Sequence, residues 1–468
     1  MELLEQPLPP HVVFFPSPGV GHLAPFFRLA AILESHNFRV SLITTQPAAA
    51  CSAQLSSFFS THPNIICLHF PLAHQNNCAS STRDPFIAQV KAINRSVQLL
   101  PPLLSSLPHP VSAIFSDFVA APSLAEITAK LGIPGYIVSN TSALCFSTIA
   151  HLPALLSGSP AKFKDGFEEL HVPGLPPLPK SIIPPSWLND SPSNPLLTEY
   201  LVPSAQALPK LQGILLNSFD WFEQDAIAAL LDGKVSSDLP PVYPIGPLEP
   251  HKLEKEEQAL EWLDEQAPGS IVYVDFGSWD SFSKDQIREI GRGLERSGFP
   301  FLWVLGGKEL VLVGDSESNC DSFKEKGMGM VVEGRVKRDA VLAHPAIGVF
   351  MSQCEWWSVV AAAREGVAVL AWPPQHGDQK MNTEVVEKAG LGKWVKEWGW
   401  GGQRAVKGEE IEEGIRELMN WREKAKRVGE EAKKALEIGG SSENALTRLV
   451  TRLKDERLDW GWDSILGT

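Results

Sequence analysis

Cysteine is scarce in this chain and follows no recurring spacing. Six cysteines occur among 468 residues, none of them in a C-x-x-C pair: Cys51, Cys67, Cys78, Cys145, Cys320 and Cys354. Small secreted domains depend on closely spaced disulfides and structural zinc sites on paired cysteines, so both classes are excluded. We expect reduced thiols in a cytoplasmic protein.

The chain also lacks an excess of basic residues and long apolar runs. The chain has 41 Lys and Arg against 55 Asp and Glu, a formal net charge of −14. Nucleic acids and anionic membranes attract basic surfaces, so neither is expected as a partner. No apolar run approaches the roughly 20 residues of a membrane span, and the opening MELLEQPLPP does not resemble a secretion signal. We expect a soluble monomer whose partners are small molecules.

Short apolar runs alternate with longer amphipathic ones along the chain. The first half contains HVVFFPS, RVSLIT, SAIFSD, PGYIVS and GILLNS, and the second SIVYVDFGS, PFLWVLG, GMGMVVE, IGVFMS and AVLAWP. Continuous apolar strands separated by helices are typical of parallel sheets covered on both faces. The pattern predicts an α/β fold with two doubly wound, Rossmann-like domains facing each other across a cleft.

The domain boundaries are predicted from segments rich in proline and charged residues. The segment 241–258 is proline-bearing and then charged, as linkers often are. We predict a first domain over 1–247, a linker over 248–260 and a second domain over 261–450. A tail over 451–468 is expected to pack back toward the first domain, because Trp460, Trp462 and Ile465 would be costly to expose. The Pro- and Ser-rich region 151–204 is expected to be a surface excursion near the cleft.

Two ionisable residues follow apolar strands of the first half. His22 stands where PSPGVGHLAPF turns from the first strand into a helix, and its neutral imidazole could act as a general base. Asp117 is the last residue of SAIFSD and could orient that imidazole. Each also has a structural interpretation, His22 as a helix-start histidine bonded to a loop and Asp117 as a helix N-cap.

Motifs spread over the whole chain resemble one family. PSPGVGHLAPF, SDF, PVYPIGPL, EWLDEQAPGSIVYVDFGS and GVAVLAWPPQHGDQKMNTEVVEKAGLG are similar to the plant family 1 UDP-glycosyltransferases, which have the GT-B fold. RDPFIAQVKAINRS, LLPPLLSSLP, AWPPQHGDQKMN and WGWGG resemble its flavonoid C-glycosyltransferases. The resemblance implies a UDP-sugar co-substrate, an aromatic acceptor bound by the first domain, and no metal or other cofactor.

The resemblance also implies roles for single residues. His22 would be the catalytic base and Asp117 its partner. The donor-binding positions would be Ser278 and Ser358 near the diphosphate, Asp378 and Gln379 at the sugar, Gln353 in place of a diphosphate-binding histidine, and Trp372 in the same signature.

Several donor positions depart from the family pattern: Trp279, Arg335, Arg338, Glu355, Trp357 and Ala361, together with Gln353. Ala361 stands for a ribose-binding glutamate and cannot accept hydrogen bonds. Glu355 sets a negative charge at a helix start that favours phosphate. Trp357 replaces an asparagine, either as a new wall of the pocket or as a plug. These departures predict weak affinity for UDP-sugar.

Two functions of different classes therefore stand at this point. One is an inverting transferase that moves glucose from UDP-glucose to an oxygen or ring carbon of a phenolic, flavonoid-type acceptor. The alternative is a pseudoenzyme or redesigned GT-B binder that keeps the acceptor cleft and has lost donor affinity. A phosphate-anion site at Arg335, Lys337 and Arg338 is a weaker third interpretation, because basic clusters are usually solvated.

Overall fold

Two parallel sheets, one in each half of the chain, organise the structure. A computed structural model describes residues 9–18, 20–45, 52–73, 84–158, 168–188, 194–249, 258–277, 282–306, 328–334, 336–374, 377–399 and 404–459, without the side chains of 20–22, 52–54, 158 and 456–459. In that part of the chain, every helix is too short or too polar to span a lipid bilayer.

The first sheet has seven parallel strands in the order β3-β2-β1-β4-β5-β8-β9. Its central strands are continuous buried apolar runs, as the sequence predicts, and they pair in register, with Phe14 opposite both Leu42 and Phe115. The strands are β1 His11–Phe15, β2 Arg39–Thr44, β3 Ile66–His69, β4 Ala113–Asp117, β5 Gly135–Ser139, β8 Gly213–Leu216 and β9 Val242–Pro244.

The second sheet has six parallel strands in the order β12-β11-β10-β13-β14-β15. They are β10 Ile271–Asp275, β11 Phe301–Leu305, β12 Gly329–Glu333, β13 Ile347–Ser352, β14 Ala368–Ala371 and β15 Gly392–Trp394. A short antiparallel pair, β6 Glu169–Leu170 and β7 Leu178–Pro179, lies apart from both sheets. The predicted α/β architecture with two Rossmann-like domains is confirmed.

Helices connect the strands and cover the sheets. In the first half they are α1 Val20–Ser35, α2 Ser52–Thr61, α3 Pro85–Gln98, α4 Pro101–Ser105, α5 Ala121–Leu131, α6 Ala143–Gly158, α7 Val202–Ala207 and α8 Gln224–Leu231. In the second half they are α9 Gln258–Asp264, α10 Lys284–Ser297, α11 Arg338–Leu342, α12 Trp356–Glu365, α13 Gln379–Lys388, α14 Gly408–Met419, α15 Arg422–Leu436 and α16 Ser441–Asp459.

Two regions differ from the expectations. Part of 241–258 is β9, which completes the first sheet beside β8 because its backbone pairs there despite two prolines. Residues 250–257 of the predicted linker lie outside the described residues, and α9 begins at Gln258. The region 151–204 is not a simple surface excursion, since Leu170, Ile182 and Trp187 are buried in the main apolar core.

The last helix, α16, returns to the first half of the chain. Ala445, Leu449 and Leu453 are buried in one apolar cluster with residues of α1 and β1, including Leu33 and Phe14. The Ser442 hydroxyl donates to the carbonyl of Gly246, 2.5 Å away. The large apolar residues of the predicted tail, Trp460, Trp462 and Ile465, lie outside the described residues, so its packing stays a prediction.

Candidate active site

The candidate site lies between the carboxyl ends of the two sheets, where ligands of doubly wound folds bind. Direct contacts join the halves at its edges. The Trp356 indole at the start of α12 donates to the carbonyl of Asn217, just after β8, at 3.0 Å. The Thr141 hydroxyl, between β5 and α6, donates to a carboxylate oxygen of Asp378, just before α13.

Asp117 ends β4 with its carboxylate buried and accepting several hydrogen bonds. The backbone N–H and the hydroxyl of Ser17 donate to its two oxygens, each at 2.8 Å, and the N–H of Val119 donates at 3.2 Å. The carboxylate thus caps the short 3-10 helix Phe118–Ala120. It also holds the loop between β1 and α1. Asp117 is therefore a helix N-cap, and this role does not exclude its predicted role as the partner of His22.

His22 falls in the first turn of α1, which begins at Val20. Its side chain lies outside the described residues, so a hydrogen bond between His22 and Asp117 stays a prediction. Ser278, Trp279 and Arg335 also lie outside the described residues.

An aromatic wall adjoins Asp117 in the first half. The rings of Phe86, Phe118 and Phe146 form it with Tyr200, which lies edge-on to Phe86 at 5.4 Å and to Phe118 at 5.8 Å between centroids. Burial raises the pKa of the Tyr200 phenol well above its usual value, and the nearby carboxylate of Asp117 raises it further. Nothing local in the sequence marks Tyr200, because it belongs to the Pro- and Ser-rich region.

Asp378 and Gln379 lie at the start of α13, on the side of the cleft that the second half supplies. Gln379 is nearly buried, and its side-chain carbonyl oxygen has no hydrogen-bond partner among the described residues. Gly377 has φ +78°, a backbone conformation that favours glycine, and a Cβ there would lie 2.3 Å from that oxygen. The two predicted sugar-binding residues are therefore set on a tight turn at the cleft.

The turn between β13 and α12 holds a buried amide without partners. Gln353 is 2% exposed, and both its side-chain oxygen and nitrogen lack partners among the described residues. Cys354 has φ +63°, an uncommon conformation for a residue with a side chain. Its carbonyl accepts a hydrogen bond from the Asn382 amide at 3.1 Å, which helps to hold the turn.

Arg338 lies at the centre of an ion cluster in the second half of the chain. It donates to Asp275 at 2.9 Å and to the Ser358 hydroxyl at 2.6 Å, and it lies 3.7 Å from a carboxylate oxygen of Glu355. Burial alone would raise the pKa of Asp275, but Arg338 outweighs it and the pKa is lowered. Ser358, predicted to contact phosphate, is thus held by a cation. No local sequence signal marks Asp275, because its role depends on Arg338, 63 residues away in the chain.

Trp357 contacts the first half of the chain. Its ring lies 3.8 Å from the guanidinium carbon of Arg28 on α1. Arg28 also donates to the carbonyl of Leu248 and to Asp339, each at 2.8 Å. Trp357 therefore packs in a joint between the halves, and we call Arg28, Leu248, Asp339 and Trp357 the interdomain joint. The contact with Arg28 does not decide between the two roles left open for Trp357, a wall of the pocket or a plug.

Two other signature positions are structural. Trp372 is fully buried, and its indole N–H donates to the carbonyl of Gly399 at 2.9 Å. The Trp372 side chain therefore packs behind the site, and its predicted role in donor binding stays a prediction. Ala361 is also buried, on α12. In the described part of the chain, no group of three or more His, Cys, Asp or Glu side chains is placed to hold a metal ion.

Comparisons with known proteins point to one family. The profile of the family described as UDP-glucoronosyl and UDP-glucosyl transferase matches residues 235–419. The chain is 42% identical over 466 residues to UDP-glycosyltransferase 708G2 of Citrus unshiu, covering 95% of this chain and 97% of that protein. It is 39% identical over 458 residues to UDP-glycosyltransferase CGT of Oryza sativa subsp. indica, covering 94% and 95%.

Solved structures share the fold over almost the full length. The crystal structure of LpCGTa in complex with UDP is 37% identical with a TM-score of 0.82, covering 95% of this chain and 99% of that one. The structure of Phytolacca americana UGT2 complexed with UDP-2fluoro-glucose and pterostilbene is 26% identical with a TM-score of 0.80, covering 95% and 100%.

Proposed function

We propose that this chain, which belongs to the UDP-glucoronosyl and UDP-glucosyl transferase family and is a UDP-glycosyltransferase, transfers glucose to a phenolic, flavonoid-type acceptor. UDP-sugar is then a co-substrate and not a resident cofactor. The family membership gives no support to the alternative of a binding protein without transfer.

One observation carries the acceptor class. Phe118 of the aromatic wall directly follows Asp117 in the chain, and its ring lies 5.8 Å from that of Tyr200 and 6.1 Å from that of Phe146 between centroids. Phe146 belongs to α6, and Thr141, just before α6, donates to Asp378 from the second half. These contacts support an aromatic wall near both the catalytic candidate and the sugar-binding candidate. A flat phenolic acceptor packed on this wall would lie between the base and the sugar.

The proposed chemistry needs one base. His22 takes the proton of a phenolic hydroxyl, and the buried carboxylate of Asp117 stabilises the imidazolium that forms. The phenolate oxygen, or the ring carbon ortho to it, attacks the anomeric carbon of the sugar. The bond from that carbon to the diphosphate breaks with inversion, and UDP leaves with the electron pair. After attack by carbon, loss of the ring proton restores aromaticity.

The acceptor atom stays open between oxygen and carbon. The resemblance to relatives named CGT supports attack by carbon. Product analysis decides between the two, because a C-glycoside survives acid hydrolysis whereas an O-glycoside releases glucose.

The experiment that tests the function is release of UDP from UDP-glucose in the presence of polyphenols that carry a free ring carbon ortho to a hydroxyl. We expect acceptor-dependent release by the natural chain and its loss in His22→Ala. His36→Ala is the matched control, since His36 lies exposed just beyond the end of α1. Undiminished turnover in His22→Ala would remove His22 from the mechanism, and no turnover with any acceptor would refute the transferase.

A further inference from the structure

The start of α12 has two independent features of a ligand site. The helix N-terminus directs unpaired backbone N–H groups and the positive end of the helix dipole toward any anion there. Next to it, the buried amide of Gln353 has no partner among the described residues, and its nitrogen lies 2.6 Å from where a Cβ of Gly277 would be. This inference rests on the proposed function, in which the anion is the diphosphate of UDP-sugar.

Glu355 occupies the same place with a carboxylate. It is the residue immediately before α12, yet its side chain makes no capping hydrogen bond to the helix. One carboxylate oxygen lies 3.9 Å from the Cβ position of Gly277, beside the Gln353 amide. An ionised Glu355 would therefore stand against the negative charge of a bound diphosphate.

The charges around Glu355 do not remove this conflict. Among the described residues, the ionisable groups acting on Glu355 are Arg338 from the start of α11, Asp275 from the end of β10 and Asp378 before α13. Arg338 already makes a closer contact with Asp275, at 2.9 Å, than with Glu355, at 3.7 Å. Before the diphosphate arrives, Glu355 is thus acted on by one cation and by two other acids among the described residues.

We propose that Glu355 couples donor binding to proton uptake, so that UDP-sugar binds to the chain in which Glu355 is protonated. The neutral carboxyl can donate a hydrogen bond to a diphosphate oxygen, whereas the carboxylate repels it. Burial raises the pKa of Glu355 in the free chain, with Arg338 opposing and Asp275 and Asp378 adding to the rise. The diphosphate raises this pKa further, so one proton from solvent enters with the donor.

The sign of the pH dependence follows. At a pH below the pKa of Glu355 in the free chain, the group is already protonated and affinity does not depend on it. As pH rises above that pKa, binding must protonate Glu355 first, and affinity falls by up to about tenfold per pH unit.

Calorimetric titration with UDP-glucose tests the coupling directly. UDP-glucose is used instead of UDP because the terminal phosphate of UDP itself titrates near neutral pH. Titrations in two buffers of different ionisation enthalpy count the protons taken up per donor bound. Over the pH range in which the chain takes up protons, we expect its affinity for UDP-glucose to fall by up to about tenfold per pH unit.

Glu355→Gln keeps the shape of the side chain and removes its titration. We expect it to bind UDP-glucose without that proton uptake, with affinity flat over the same range, and more tightly than the natural chain at the alkaline end. Glu355→Gly should behave alike. Glu430→Gln, an exposed position on α15, is the matched control and should keep the pH dependence of the natural chain.

The outcomes separate this inference from the function on which it rests. Equal proton uptake and equal pH dependence in the natural chain and Glu355→Gln would overturn the coupling and leave the transferase standing. No binding of UDP-glucose by any variant at any pH, together with no UDP release in the acceptor assay, would overturn both.

Discussion

The contact between Arg28 and Trp357 should be measurable as a coupling free energy across the two halves of the molecule. Arg28→Met removes the guanidinium and keeps an unbranched stem, while Trp357→Leu removes the indole ring and keeps an apolar side chain. The two single variants and the double variant form a double-mutant cycle, in which the departure from additivity reports the contact itself.

The magnitudes follow from the burial of the interdomain joint. The Arg28 side chain is 5% exposed, and Asp339 is 25% exposed. Breaking a buried ion pair costs about 3–5 kcal/mol. We expect the lower end for Arg28→Met, about 3 kcal/mol, because Asp339 is partly solvated and Arg364 remains 3.7 Å away. A desolvated cation–π contact contributes about 1–2 kcal/mol, which is the coupling expected between the two sites.

Guanidinium unfolding followed by circular dichroism provides the free energies. Lys424 and Trp421 supply a control cycle, since that ammonium lies 4.2 Å from the ring centroid but is exposed to solvent. Its coupling should be smaller, about 0.5 kcal/mol. Additive effects of Arg28→Met and Trp357→Leu, with each variant destabilised by itself, would refute the reasoning.

Three further predictions concern separate parts of the chain. Asp117→Asn places an amide N–H₂ against a donor of Ser17, so calorimetry should show a loss of about 2 kcal/mol and UDP release should slow; unchanged stability would contradict the bonding described. Burial raises the pKa of Glu223 from 4.5 to about 7, so the folded chain binds the extra proton and loses about 3 kcal/mol of stability as pH rises through that interval. Unfolding of Glu223→Gln over the same interval should lack that loss, and an identical profile would refute it. Leu449→Ala in α16 should lower the free energy of unfolding by about 2–5 kcal/mol, measured with denaturant. An unchanged free energy would contradict the burial of Leu449 in the apolar cluster with α1 and β1.

The strands were predictable where they are continuous apolar runs. β1 and β10 are buried on both faces, so their sequences carry a signal that needs no knowledge of their neighbours. β3 was missed because its ends are exposed and its middle is only half-buried. β9 was hidden by flanking prolines, since proline disfavours sheet interiors but is tolerated at an edge.

Within the site, the positions at strand ends were predictable and their partners were not. Asp117 is marked by its place at the end of an apolar run, whereas Asp378 and Glu355 are marked by the resemblance to the family. Arg28 and Asp339 are 311 residues apart, and each resembles an ordinary surface charge in its own segment. The packing of the two halves against each other determines such pairs, and the local sequence carries no signal of that packing.

The position of α16 has a consequence for synthesis on the ribosome. The apolar cluster around Phe14 and Leu33 is complete only when Leu449 and Leu453 join it, about 200 residues after the last strand of the first sheet. At about 5–20 residues per second, the nascent first domain keeps an uncovered apolar face for about 10–40 s. During that interval the exposed apolar face is prone to aggregation unless a chaperone covers it.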